Sequence, residues 1–131
     1  MTVTINGPLP RESLKTLLEA EFPDWNIVTS QRAVDNVDRP TILLKQDTIA
    51  ALPAAPNGQY AVGYTVTIVD PHQDVELAET ALDENVLAVW AVLLTAKATN
   101  PKKATKVLFN QYLAYDIETD LWVQIQKGPV R

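Results

Sequence analysis

The sequence predicts an α+β domain, a single mixed, mostly antiparallel sheet with one long helix and one shorter N-terminal helix packed on it. Three observations carry that prediction. The segment Tyr60–Val69 alternates, with Tyr60, Val62, Tyr64, Val66 and Ile68 on one face and Ala61, Gly63, Thr65, Thr67 and Val69 on the other. Period-two alternation rich in β-branched and aromatic residues is the signature of a strand with two unlike faces. The next segment, Val75 to about Ala98, reads as a helix, ~36 Å long at ~1.5 Å per residue. The overall order, helix, three strands, long helix, two strands, does not alternate as a doubly wound sheet does.

The remaining elements follow in chain order. Residues 1–10 read as irregular, because Gly7, Pro8 and Pro10 interrupt them. Pro10 suits the first turn of a helix over Arg11–Phe22, whose Leu14, Leu17, Leu18 and Phe22 repeat at three-and-four spacing. Pro23 stops it. Trp25–Ser30 predicts a short strand, residues 31–40 a loop, and Thr41–Gln46 a second strand opened by Pro40. Asp47 to Asn57, with Pro53, Pro56 and interspersed alanines, reads as a helical turn or an exposed excursion. Short links favour antiparallel pairing of these early strands. Asn57-Gly58 is a turn signal ahead of the alternating strand.

Asp70-Pro71-His72-Gln73 breaks that strand, and Asp74 is the expected N-cap of the long helix. Its acids Asp74, Glu76 and Glu79 and its terminal Lys97 suit the helix dipole, and Asn100-Pro101 is the expected stop. Lys102, Lys103 and Lys106 then read as a basic loop, and Thr105–Phe109 and Tyr112–Ile125 as strands, the second bent near Glu118–Asp120. The expected domain is 1–131, with 1–9 and 127–131 flexible or ordered by a partner.

Composition narrows the function classes. The chain has 131 residues, 47% of them apolar, which is enough for a core without staples. It has no cysteine, so neither a disulfide framework nor a thiolate metal site. The net charge is −5, which disfavours sequence-reading of nucleic acid. Met1–Ile5 lacks the pattern of a signal peptide, and the longest apolar run, Val86–Leu94, is shorter than the ~20 residues of a membrane span, so a soluble chain is expected.

Chemistry is sparsely encoded. His72 is the one histidine, and a general base oriented by Asp70 or Asp74 weighs less than a turn residue near a helix start. Glu76, Glu79 and Asp83 share a helix face, but the stretch lacks the glycine turn and oxygen spacing of a calcium loop, so a solvated face is the expectation. The four glycines are too scattered for a phosphate loop or a dinucleotide fingerprint, and no Gly-x-Ser-x-Gly occurs. The reading is a non-enzymatic chain with no catalytic, metal or cofactor site.

The long helix supplies the positive signal. Ala78, Ala81, Leu82 and Val86 form one stripe in its first half, whereas Val86–Leu94 has no polar residue. A helix apolar all round requires cover all round, either from the first helix or from another subunit. Charge is segregated as well: no Lys or Arg occurs from Gln46 to Ala96. An acidic middle with basic flanks suits head-to-tail association with copies of the chain, which closes into rings when the rotation allows. The subunit-interface candidates are Trp90, Leu87, Leu94, Lys102, Lys103, Asp83 and Glu84.

The run Tyr60-Ala61-Val62-Gly63-Tyr64-Thr65-Val66-Thr67-Ile68-Val69-Asp70-Pro71 leads into an acidic helix start, Asp74–Glu84, an apolar second half, and a strand at Tyr112–Glu118. With the helix Glu12–Phe22 and the strand Pro40–Lys45, this layout resembles the tail terminator proteins of long-tailed (siphovirus-type) bacteriophages over about residues 10–125. The resemblance rests on pattern and order. It implies a structural virion subunit that forms a hexameric ring, caps the tail tube, stops its polymerisation and joins it to the head–tail connector. The implied partners are copies of the chain, the tail tube protein, the connector protein and DNA passing through the lumen without sequence-specific binding. The implied location is the tail–neck region of the virion, after assembly in the host cytoplasm. Six copies at −5 each would carry about −30, a lumen environment that repels phosphate. Residues 31–40, 47–57 and 97–106 are the expected contact segments. The competing expectations are another neck, tail-completion or head-closure adaptor and, in a different class, a small α+β enzyme or ligand-binding domain.

Overall fold

The structure, a computed structural model, describes residues 2–5, 10–29, 37–51, 59–96 and 99–128; for 2–5, 10, 51, 59 and 123–128 it describes the backbone. Eight elements follow one another: β1 (Thr2–Ile5), α1 (Pro10–Glu21), β2 (Asn26–Val28), β3 (Thr41–Ala51), β4 (Gln59–Val69), α2 (Val75–Thr95), β5 (Thr99–Phe109) and β6 (Tyr112–Gly128). The strands make one mixed sheet, and both helices pack on one of its faces, as expected of the α+β class.

β4 is the centre of the sheet. Its antiparallel partners are β3 on one side and β6 on the other, and β6 pairs in turn with β5. β4 and β5 therefore run in the same direction with β6 between them, and α2 is the crossover. The alternation of β4 is used as expected: Val62, Tyr64, Val66 and Ile68 are buried under the helices. They meet Leu14 and Leu18 of α1, Leu82, Val86, Val89 and Leu93 of α2, and Ile42, Leu44, Ile117 and Leu121 of the flanking strands. Phe22 stacks on Trp25 with ring centroids 4.2 Å apart and closes the exit from α1.

Several expectations need correction. β2 and β3 pair in parallel, not antiparallel. Their connection, residues 29–40, is long enough for a crossover, which a parallel pair needs and a hairpin does not. β3 continues through residues 47–51, where a helical turn or excursion was expected. Its register shifts between Gln46 and Thr48, so Asp47 bulges out of the ladder. Gly63 faces that bulge, and a Cβ there would collide with Thr48 Oγ1, so the missing side chain is what lets the strands approach. Thr2–Ile5, expected to be irregular, pairs antiparallel with Ile125–Gly128 at the end of β6. Lys127 and Gly128, expected to fray, therefore belong to a ladder.

The largest difference follows α2. The helix ends at Thr95, three residues short of the expected Ala98 and about one and a half turns before the Asn100-Pro101 stop. Ala96 adopts extended backbone and donates to Leu93 O at 3.2 Å. Asn100, Pro101, Lys102 and Lys103, expected as helix stop and basic loop, are paired residues or bulge residues of β5. A proline is tolerated there because β5 is an edge strand and the register shifts between Pro101 and Lys103. The bend expected in β6 near Glu118–Asp120 is absent: β6 runs unbroken from Tyr112 to Gly128 and keeps its register with β4 there, and the irregularity opposite belongs to β5. β5 turns into β6 at Asn110, whose φ of 55° is a left-handed conformation that asparagine tolerates in tight hairpin loops.

The Asp74 N-cap is as expected: its Oδ1 accepts from Leu77 N at 3.2 Å. The loop segment 30–36, the turn Asn57-Gly58, residues 52–58, Lys97 and the tail 129–131 lie outside the described residues. No described helix is long and apolar enough to cross a membrane.

Candidate assembly surface

The two-layer arrangement leaves two large faces. On the helix side, α2 buries Ala78, Leu82, Val86, Val89 and Leu93 against the sheet. The face turned away carries Leu87 and Leu94, 70% and 62% exposed, with Ala88 and Ala91 also exposed. Six residues, Glu76, Glu79, Asp83, Leu87, Trp90 and Leu94, recur at three-and-four spacing along one line of the helix. The line is acidic over its first half and apolar over its second. Lys106 on β5 anchors it, with Nζ 3.0 Å from Glu79 Oε2, so this flank of α2 overlooks the β5 edge. The hydrogen bond to Glu79 raises the Lys106 pKa above its ordinary value.

The interface candidates divide accordingly. Leu87, Leu94, Asp83 and Glu84 are exposed on α2. Trp90 is partly buried and packs on the intramolecular core, so its ring roots the stripe more than it projects from it. Lys102 and Lys103 lie on the other side of the molecule. They are not in a loop but on β5, and they reach across the open face of the sheet to Asp120 at 3.0 Å and Glu118 at 3.9 Å.

That open face was missed as a site. β6 sends Asp116, Glu118, Asp120 and Trp122 to it, facing Thr67, Thr65, Gly63 and Ala61 of β4. Thr67 Oγ1 donates to Asp116 at 2.6 Å, Thr65 Oγ1 donates to Asp47, and Lys45 lies 3.7 Å from Asp47. This face is wet and largely self-compensated in charge. One end is closed by a small cluster of Val37, Val69 and Ala114 with Leu43, Val107, Phe109 and Tyr112. At the other end Trp122 is 54% exposed. The signal was present in the alternation, since Trp122 shares parity with three carboxylates and so points to the solvated side.

Two of the edge strands are poor templates for another strand, although beyond Leu43 no described strand covers the outer side of β3. β2 has three residues, and β5 carries three lysines, a proline and a bulge, the devices that blunt edge-to-edge pairing.

His72 sits in the link between β4 and α2. Asp70, buried, accepts from His72 N at 2.8 Å through Oδ2, and His72 Nδ1 is also 2.8 Å from that oxygen. Asp70 N donates to Leu113 O, which ties the turn to β6. Asp70 Oδ1 is buried without a hydrogen-bond partner among the described residues. The pair holds the chain in the turn that sets the start of α2. Among the described residues no group of three or more His, Cys, Asp or Glu is arranged to hold a metal ion. No protein family matches the chain, and no curated protein is significantly similar to it.

Proposed function

We propose that this chain is a structural subunit that assembles with copies of itself into a ring, in the role of a tail terminator of a long-tailed bacteriophage. In that role the ring caps the completed tail tube, stops its polymerisation and meets the head connector. The observation that carries this reading is the outward side of the second half of α2, where Leu87 and Leu94 are exposed beside Ala88 and Ala91 with no charged residue among them. Large apolar residues grouped on one outer face mark association surfaces more often than isolated ones do. The order of elements adds the family likeness described above.

Electron microscopy of the purified protein, alone and with tail tubes, tests the proposal. Rings with a central hole, of mass near six subunits, are expected. A chain that stays monomeric and fails to bind tail tubes contradicts it. Another neck or head-closure adaptor shares the same physical features, and gene order next to the tail tube gene separates the two.

One observation favours a second reading, a small ligand-binding domain or enzyme: a buried carboxylate orients the ring of a half-exposed histidine. His72→Ala decides between them. Under the first reading assembly is unchanged; loss of a measurable turnover or ligand affinity in that variant supports the second.

A further inference from the structure

Among the described strands, β1 pairs with the end of β6 alone. Its four residues face Ile125–Gly128, and no other described strand pairs with that stretch: β4 reaches only to Gln124 and β5 only to Leu121. The four pairs therefore form a two-stranded ribbon that runs on past β4 and β5, by ~13 Å at ~3.3 Å per residue. A two-stranded ribbon standing by itself is marginal in water.

The link from β1 to α1 bears on where the arm goes. Residues 6–9 are Asn-Gly-Pro-Leu, and Pro10 opens α1. Proline fixes its own φ and steers the residue before it to extended conformations. Pro8 and Pro10 thus give this sequence a preference for a link that reaches out over one that reverses tightly. Five extended residues, Asn6 to Pro10, span up to about 17 Å. Thr2–Ile5 is uncharged and Ile125–Gly128 carries only Lys127, so in a chain of net charge −5 these two strands meet without repulsion.

The complement of β1 is given by its register. Thr2–Ile5 fits Ile125–Gly128 in the same way whether the two strands belong to one copy or to two. Exchange keeps the same four pairs, which makes swapping an identical element a low-cost route to association. Proximity then decides. Once the outer side of α2 holds two copies together, pairing across them occurs at high effective concentration.

We infer that β1 of one copy pairs with Ile125–Gly128 of the next copy around the assembly. This inference rests on the self-assembly reading and names a second contact within it. Donor and acceptor are different surfaces, so each copy gives one arm and receives one, and the series is complete when the ring closes.

Because the chain has no cysteine, an introduced disulfide reports this pairing directly. Thr4 and Gln126 stand opposite each other, and directly opposed residues hold their Cβ atoms ~4.5–5.5 Å apart, close to disulfide reach. The double variant Thr4→Cys, Gln126→Cys is assembled with tail tubes, oxidised and run on a denaturing gel without reductant. A covalent ladder rising to the size of the whole assembly is expected. The off-register variant Thr2→Cys, Gln124→Cys is expected to give no ladder, and thermal melts under reducing conditions check that both variants fold like the wild type. Cross-linked monomers alone, a ladder that stops at reciprocal dimers, or an equal ladder from the off-register variant overturns the inference. Native mass spectrometry of the wild type separates the two levels. If it forms rings while the cross-link stays within monomers, this contact alone falls. If it stays monomeric with tail tubes present, the proposed function falls and the exchange with it.

Discussion

The two helices lie on the same face of the same sheet, and their inner faces obey the same rule. α1 buries Leu14 and Leu18, and α2 buries Ala78, Leu82, Val86, Val89 and Leu93. Their outer faces do not. α1 presents Arg11, Glu12, Thr16, Glu19 and Glu21 to solvent, whereas the second half of α2 presents Leu87, Ala88, Ala91 and Leu94. Inner faces are dictated by the fold, since any sequence that left them polar would lose the core. Outer faces are free, so an apolar outer face records a second constraint. α1 presents charges along its outer side, and α2 departs from that standard at Val75 and Leu77 near its start and, with no charged residue among them, at Leu87, Ala88, Ala91 and Leu94.

The comparison can be broken at its buried side first, where the largest effects are expected. Leu18→Ala on α1 and Leu82→Ala on α2 each leave a cavity at a fully buried position and should cost about 2–5 kcal/mol. Chemical denaturation should give similar losses for both, and a negligible loss at either would mean that helix is not part of the shared core. Asp74→Ala removes the cap of α2 and should cost about 0.5–2 kcal/mol in the same assay.

Alkaline pH probes the ties of each helix to the sheet. Tyr64, buried on β4, has its pKa raised above 10.0 by loss of hydration, partly offset by Arg11 of α1. Lys106 has its pKa raised above 10.5 by its bond to Glu79 of α2. In both cases the folded chain holds its proton more tightly than the unfolded chain. The associated stability is present in full below those ordinary values and is lost as pH rises through the raised ones. Melting temperature should therefore fall above about pH 10, and Tyr64→Phe should flatten part of that fall. The smallest effect on stability is expected outside: Leu87→Gln with Leu94→Gln should change it by no more than about 0.5 kcal/mol per site, as for surface positions on α1.

Much of this was legible in the sequence where a periodicity met a strong boundary. The alternation of Tyr60–Val69, the spacing of Leu14 and Leu18, and the cap at Asp74 each rest on local chemistry, and each stands as read. The Val86–Leu94 run left open whether the first helix or another subunit covers it; α1 packs on the same sheet beside α2 and leaves Leu87, Ala88, Ala91 and Leu94 exposed. The misreadings have a common origin in strand partners distant in sequence. Asn100-Pro101 reads as a helix stop because proline usually interrupts, yet β6 accepts it at an edge-strand bulge. Thr2–Ile5 and 47–51 have weak patterns of their own and become strands through pairing with β6 and β4. Pairing also decided the site: Lys102 and Lys103 moved from a loop to the open sheet face, where Trp122 emerged beside them.

The central claim is that the outer half of α2 is kept apolar for contact with another copy. Native mass spectrometry of the wild type and of the Leu87→Gln, Leu94→Gln double variant, each with and without tail tubes, tests it most directly. The account predicts a mass near six subunits for the wild type and a well-folded monomer for the variant. Rings of equal mass and yield from both proteins would contradict it.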